Sequence, residues 1–95
     1  MYRKFYEPIV VYNVDSETRT NPVSGDAQEF LGWSPSGAWI AHSTGGSIYE
    51  ENSLYVTNLE SKETALVSTR TGLWSRSDFE WIVDSGVEVL ALKNP

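Results

Sequence analysis

The chain contains no cysteine among its 95 residues. No disulfide can therefore stabilise the fold, and no thiolate can bind a metal ion or attack a substrate. A single domain of this size buries only about two-thirds of the surface that its unfolded chain exposes. Stability must then come from side-chain packing or from association with another chain.

Clusters of basic residues are also missing. Seven Lys and Arg are scattered along the chain against thirteen Asp and Glu, which gives a formal net charge of −6. Nucleic acids and anionic membranes bind proteins through clustered Lys and Arg. The composition therefore argues against both as partners and is compatible with a protein partner that has a basic surface.

Long apolar runs are absent. No stretch approaches the roughly 18 apolar residues of a membrane span, and no apolar run suited to a secretory signal follows the two basic residues near the N-terminus. We therefore expect no membrane association and a cytoplasmic location for the chain as given.

Helical periodicity is missing too, since apolar residues nowhere recur at i, i+3, i+4 and i+7 behind a cap. Short runs of β-branched and aromatic residues are separated instead by turn residues such as Asp84-Ser85-Gly86, a hairpin signal. The sequence predicts one all-β domain over 1–95 with about eight short antiparallel strands. The predicted strands cover 9–14, 18–23, 28–34, 38–44, 54–59, 64–68, part of 73–83, and 87–92.

An internal repeat connects the two halves of the chain. Asn13-Val-Asp-Ser16 matches Asn58-Leu-Glu-Ser61, Trp33 matches Trp81, and Ser36-Gly37 matches Ser85-Gly86. Val23-Ser24 also matches Val67-Ser68, and the copies fall in the same cyclic order and lie 44 to 49 residues apart. This spacing is typical of one four-stranded propeller blade per repeat.

The stretch from Trp33-Ser-Pro-Ser-Gly-Ala-Trp-Ile-Ala through Leu54-Tyr-Val-Thr-Asn-Leu to Thr64-Ala-Leu-Val-Ser resembles the TolB-type (WD40-like) β-propeller repeat. The resemblance covers 28–68 and is weaker on both sides. It departs at Ser36, where the family has Asp, and at 81–86, which lacks Ser-Pro and is one residue longer. It implies a complete blade over 28–68 between half blades at 9–23 and 75–92, and a role as an interaction domain.

A half blade at each end would leave open sheet edges, and open edges favour pairing with another chain. Two arrangements are compatible with this pattern. Copies could associate as a homo-oligomer in which two or three chains close a ring, or the half blades could meet within one chain and form a small sandwich or barrel.

Nothing in the sequence predicts catalysis, a cofactor or a metal site. Gly32-Trp-Ser34 lacks the strand-turn-helix context of a nucleophile elbow, and the paired carboxylates at 15 and 17, 50 and 51, and 78 and 80 are expected in solvated turns and strand ends. His42 is the only histidine, so one chain cannot form a multi-histidine metal site. We expect a hydrogen-bonded histidine in the core or at an interface.

The aromatic residues are the candidates for binding. Exposed together, they could stack on a sugar ring or anchor a protein interface, whereas buried tryptophans would pack between blades. Packing is the preferred interpretation for Trp33 and Trp81. The candidate binding or interface residues are Trp33, Trp39, His42, Tyr49, Trp74 and Trp81.

The leading hypothesis is a non-enzymatic protein-interaction or scaffolding module whose protein partner is unknown. One alternative is a small acidic inhibitor or mimic that covers a basic surface. The other is carbohydrate binding through exposed tryptophans.

Overall fold

The computed structural model describes residues 9–21, 23 and 28–93. This part of the chain contains antiparallel strands, one 3₁₀ turn (Arg76–Asp78), no α-helix and no closed barrel, so the predicted all-β fold with eight short strands is confirmed. No described helix has the length and hydrophobicity needed to cross a membrane. The strands are β1 (Val11–Asn13), β2 (Thr18–Thr20), β3 (Gln28–Trp33), β4 (Trp39–Thr44), β5 (Glu51–Asn58), β6 (Thr64–Thr71), β7 (Phe79–Asp84) and β8 (Val87–Leu92).

The central sheet has the order β3-β4-β5-β6 and carries the core on one of its faces. Ala41 lies opposite Val56 in the strand register, and both belong to this core face. Ile40 and His42 lie on the other face, which we call the second face, because successive strand residues alternate.

The hairpin of β7 and β8 covers the core face. Phe79 and Trp74 are buried against Leu31, Ala41 and Leu54, and the partly buried Trp81, Leu90 and Leu92 pack around them. The hairpin closes through Ser85 and Gly86, with φ of 52° and 80°. Positive φ at both positions is the signature of a two-residue hairpin turn, so the hairpin predicted here is confirmed.

The hairpin of β1 and β2 repeats a turn of the central sheet. The side-chain oxygens of Asn13 and Asn58 each accept hydrogen bonds from the backbone amides two and three residues further on, at 2.9–3.1 Å. Four residues after each Asn, Glu17 and Lys62 adopt positive φ, 56° and 65°. The matching tetrapeptides therefore form matching turns, one between β1 and β2 and one between β5 and β6.

Several predicted strand bounds were wrong. β2 ends at Thr20 instead of residue 23, and residues 22 and 24–27 lie outside the described part of the chain. β5 begins at Glu51 and β6 continues to Thr71, because these two residues pair at the end of the ladder. The central sheet thus covers 28–71 instead of 28–68. The segment 73–83 contains the 3₁₀ turn and then β7, which continues three residues beyond Trp81.

Candidate functional site

The loop between β4 and β5 (45–50) is held in place by a buried asparagine. Asn52 is 1% exposed. Its amide bonds to Thr44 Oγ1 (3.1 Å), the Gly46 N–H (2.9 Å) and the carbonyls of Ser47 (3.0 Å), Glu50 (3.2 Å) and Gly72 (2.9 Å). A β-carbon at Gly46 would lie 2.7 Å from Asn52 Oδ1, so this approach requires glycine. The loop therefore has a fixed shape.

The same loop directs apolar side chains into solvent. Ile48 is 57% exposed and Tyr49 is 85% exposed, and the exposed Glu50 and Glu51 follow them. We call residues 48–50 of the loop, together with Glu51 at the start of β5, the loop tip. Tyr49, predicted as an interface residue, is thus held on a rigid support where another molecule can reach it.

His42 lies inside the sheet and away from solvent. It is 1% exposed, its Nε2 lies 2.7 Å from Thr57 Oγ1, and its ring stacks on Tyr55. Thr57 Oγ1 in turn hydrogen-bonds Thr64 Oγ1 at 2.7 Å. Burial lowers the pKa of His42 to about 4, because desolvation disfavours the imidazolium. The predicted hydrogen bonding of His42 is confirmed, and His42 is neutral at neutral pH.

Two of the predicted tryptophans meet in a groove between the central sheet and β8. The groove has a volume of ≈ 510 Å³. We call it the hairpin groove; it is lined by Trp39, Val56, Trp81, Gly86, Val87, Glu88 and Leu90. Trp39 and Trp81 are each half-buried, so the groove offers parts of their rings together with one carboxylate.

Glu88 ties β8 to the turn between β3 and β4. Its carboxylate accepts hydrogen bonds from the Ser36 N–H and the Ser36 hydroxyl, both at 2.7 Å. These bonds, the backbone bond first, lower the pKa of Glu88 because they favour the ionised form. Ser36, where the resembling family has Asp, is therefore a donor to an acidic neighbour.

Trp74 belongs to the core and is not available for binding. It is 2% exposed, and its Nε1 donates to the Asn52 carbonyl at 2.7 Å. The Arg70 guanidinium lies 4.0 Å from the centroid of the Trp74 ring and pairs with Asp78 at 2.8 Å. Partial burial raises the pKa of Asp78, but the Ser75 N–H and Arg70 outweigh it and hold this pKa below its usual value. Asp78, expected to be solvated, is thus ion-paired.

Trp33 and Trp81 hold equivalent places but differ in their surroundings. Each pairs across its hairpin with an aliphatic residue, Ile40 for Trp33 and Leu90 for Trp81. Trp81 packs against the core, as predicted. Trp33 is 49% exposed beside Phe30, so it does not pack between two sheets within this chain. β7 and β8 form a separate sheet that packs on the core face of the central sheet, whereas Trp33 lies on the second face.

The described residues contain no group of three or more His, Asp or Glu that could hold a metal ion. Sequence reasoning missed Asn52 and Glu88. Glu88 had a usable signal, because it is the only charged residue in the apolar run Val87–Leu92. Asn52 had none, since an asparagine at the end of a glycine-rich loop is ordinary turn chemistry.

Comparison with known proteins does not add a family. A scan against protein-family models, a search of curated proteins and a search of solved structures each gave no match.

Proposed function

We propose that this chain is a non-enzymatic protein-interaction module of β-propeller-like blades, and that the loop tip binds the protein partner. The observation that carries the proposal is the contrast between the buried, fully bonded Asn52 and the exposed Ile48 and Tyr49 that its loop displays. A preorganised loop loses little conformational entropy on binding. Tyrosine is also among the residues that contribute most to interface energies.

The blade architecture of the proposal is supported by the repeated local geometry. The turns after Asn13 and Asn58 have the same hydrogen bonds, and Trp33 and Trp81 have the same type of cross-strand partner. Two strand pairs and one four-stranded sheet are the units that such blades require.

The chemistry of the loop tip defines the partner. Ile48 and Tyr49 suit an apolar pocket, and Glu50 and Glu51 suit basic residues at the rim of that pocket. The net charge of −6 also favours a basic partner, since complementary charge accelerates encounter. A protein with an apolar pocket and a basic rim is the expected partner.

Site-specific photo-crosslinking tests this function. A photoreactive phenylalanine analogue at position 49 is compared with the same analogue at position 60, in the β5–β6 turn at the opposite end of the central sheet. We expect a crosslinked protein from extracts of the source cells at position 49 only. Unlabelled wild-type chain should compete for it, and an unlabelled Tyr49→Ala variant should compete at least about tenfold less well.

Equal crosslinking at positions 49 and 60, or equal competition by the Tyr49→Ala variant, would reject the loop tip as the binding element.

The salt dependence of the affinity distinguishes this function from that of a purely acidic mimic. Binding anchored by Tyr49 should lose little affinity when salt is raised, whereas binding through exposed carboxylates alone should weaken strongly.

Carbohydrate binding is a second candidate, because Trp39 and Trp81 line one groove with Glu88. Aromatic faces can stack on sugar rings, and a carboxylate can accept hydrogen bonds from sugar hydroxyls. Titration with a set of oligosaccharides should then quench tryptophan fluorescence in the wild type and in the Trp33→Phe control. The Trp39→Phe variant should lose this response. An unchanged spectrum of the wild type at all sugar concentrations would eliminate the candidate.

A further inference from the structure

Both terminal hairpins are incomplete sheets. β1 pairs only with β2, and β8 pairs only with β7, among the residues that the structure describes. An isolated two-stranded hairpin is at best marginally stable in water, and an unpaired strand edge favours pairing with another chain. Within the described residues, each hairpin therefore has a free edge that can accept a strand.

The hydrogen-bond pattern shows which residues face the free edge of β8. A two-residue hairpin turn closes on a hydrogen-bonded pair, here Asp84 and Val87. Hydrogen-bonded and non-hydrogen-bonded pairs then alternate along the ladder. Leu90 and Leu92 thus direct their N–H and C=O groups away from β7.

β4 has the same pattern in the central sheet. Leu59 N–H donates to the Ala38 carbonyl at 2.9 Å, so every second residue of β4 from Ala38 onward, including Ile40, bonds to β5. Leu90 matches Ile40, because each pairs with the tryptophan of its hairpin. In the free edge of β8, Leu90 therefore takes the place that Ile40 has beside β5.

β1 matches β5 through the shared asparagine turn. Aligning Asn13 with Asn58 places Tyr12 at the position of Thr57, which is the partner of Ile40. Tyr12 is 53% exposed, and Val10 on the same face is 42% exposed. An apolar strand face thus stands open on β1, with the spacing that β8 requires.

We propose that β1 of a second copy of this chain pairs antiparallel with β8 and completes a four-stranded sheet. In this register Leu90 faces Tyr12, Ala91 faces Val11, and Leu92 faces Val10 of the second copy. The association goes beyond the proposed function, because it uses neither Tyr49 nor any other residue of the loop tip.

The hairpin groove is where the incoming strand binds. It opens beside β8, and Leu90 lines it together with Val56 of the central sheet. A side chain paired with Leu90 points to the same face as Leu90, so Tyr12 of the second copy enters the groove over Val56. A volume of ≈ 510 Å³ lies within the range of sites that hold small ligands and accommodates an aromatic ring.

Three further exposed apolar side chains become buried in the same association. Ile82 and Val89 on the outer face of the β7–β8 hairpin are each 43% exposed, and Trp33 is 49% exposed on the second face of the central sheet. In the proposed assembly, each sheet stacks on its neighbour as the β7–β8 hairpin stacks on the core face of the central sheet. The outer face of one copy's hairpin then covers Trp33 of the next copy.

This contact joins the end of one copy to the beginning of the next, so it is heterologous and closes into a ring when the rotation permits. Each copy supplies two blades' worth of strands. A ring of roughly four to eight blades, the range seen in propellers, needs about two to four copies.

Light scattering coupled to size-exclusion chromatography gives the first test. The full chain should show a discrete mass that is a small multiple of 10.7 kDa. A 10.7 kDa species at every concentration would overturn the proposal. The Tyr49→Ala variant should keep the oligomeric mass, so failure of the association and failure of the loop-tip function are distinguishable.

Disulfide crosslinking tests the register, and no native cysteine competes with the introduced thiols. Ala91 and Val11 form a non-hydrogen-bonded pair in the proposed ladder, where side chains are closest. Oxidising a mixture of Ala91→Cys and Val11→Cys chains should give covalent dimers in non-reducing gels. Each variant alone should give far fewer, and the mismatched mixture of Ala91→Cys and Val10→Cys should crosslink poorly.

A second pair protects the test against a variant that does not fold. Lys93→Cys with Ile9→Cys is the next non-hydrogen-bonded pair on the same face, beyond Leu92 and Val10, and should crosslink in the same way. If an Ala91→Cys/Val11→Cys double variant crosslinks only within single chains, the pairing is intramolecular and the proposal is wrong. An oligomer in which neither pair crosslinks would reject this register.

Discussion

Three buried or half-buried polar side chains determine how this small protein joins its parts. Asn52 fixes the loop of 45–50 to Gly72, Glu88 ties β8 to Ser36, and His42 bonds to Thr57 within the sheet. Each replaces contacts that a larger core would supply, since the chain has no disulfide. Their loss should therefore be measurable one residue at a time.

Acid should destabilise the fold through His42. Its pKa is lowered to about 4 from the usual 6.5 of an exposed histidine, so between these values the unfolded chain binds more protons than the folded chain. The contribution of His42 is fully present above the unfolded pKa and falls as pH decreases toward the folded pKa, by roughly 3 kcal/mol in all. Urea denaturation from about pH 7.5 to about pH 4 measures this loss.

A His42→Gln variant is the matched control, because glutamine can still hydrogen-bond Thr57 but does not titrate. The variant should be less stable at neutral pH and should show a flatter dependence of unfolding free energy on pH. Parallel pH profiles for the two proteins would mean that His42 is not the titrating group.

Ser36 and Glu88 should be coupled. A Ser36→Asp change introduces the residue of the resembling family but removes the hydroxyl donor and places a carboxylate beside Glu88. We expect a lower melting temperature for Ser36→Asp and a partial recovery in Ser36→Asp/Glu88→Gln, because the second change removes the repulsion. Additive effects in this double-mutant cycle would contradict direct coupling.

The bond between Ser36 and Glu88 should also weaken in acid. Its stabilisation is present above the pKa of an unfolded glutamate and is lost as pH falls through the lowered pKa of Glu88. The melting temperatures of the wild type and Glu88→Gln should therefore converge at low pH.

The elements were predictable from local chemistry, and their ends were not. Turn residues such as Asn58 and Gly86 act on their immediate neighbours, so both hairpin turns could be read from the sequence. The extension of β5 to Glu51 depends on pairing with Thr71, 20 residues away. Local patterns contain no information about such a partner, which is why the loop appeared longer than it is.

Loop 45–50 should lose its shape when Asn52 is replaced. Asn52→Ala removes five hydrogen bonds and leaves buried backbone groups without partners, at a cost of about 2–4 kcal/mol. Chemical denaturation measures this cost. Amide exchange at Gly46 should accelerate in the variant more than exchange in β4 does.

Tyr49→Ala is the comparison for this variant. Its side chain is 85% exposed, so stability and Gly46 exchange should remain close to the wild type. Slow Gly46 exchange in Asn52→Ala would show that the loop keeps its shape without this amide, and the physical basis of the proposed function would then be removed.

At the scale of the whole molecule, the repeat order predicted one four-stranded sheet between two strand pairs, and the structure has this arrangement. The sequence could not show which tryptophans are buried. Trp33 and Trp81 occupy equivalent positions, and only the sheet in front of each decides its exposure. The radius of gyration of 14.0 Å exceeds the ~13 Å of a compact 100-residue domain, and Trp33 and Ile82 remain exposed within one chain.

Stability should therefore depend on protein concentration. If a second copy completes each terminal hairpin, the melting temperature should rise between about 1 and about 100 μM, because mass action favours the associated native state. Tyr12→Ser should abolish this rise and increase the dissociation constant at least about tenfold, since it removes the ring that enters the hairpin groove. Tyr12 is half-exposed within one chain, so the dilute melting temperature should change little. Tyr49→Ser, at a more exposed tyrosine outside the contact, should keep the concentration dependence of the melting temperature. The same concentration dependence in both variants would contradict the binding of Tyr12 in the groove beside β8.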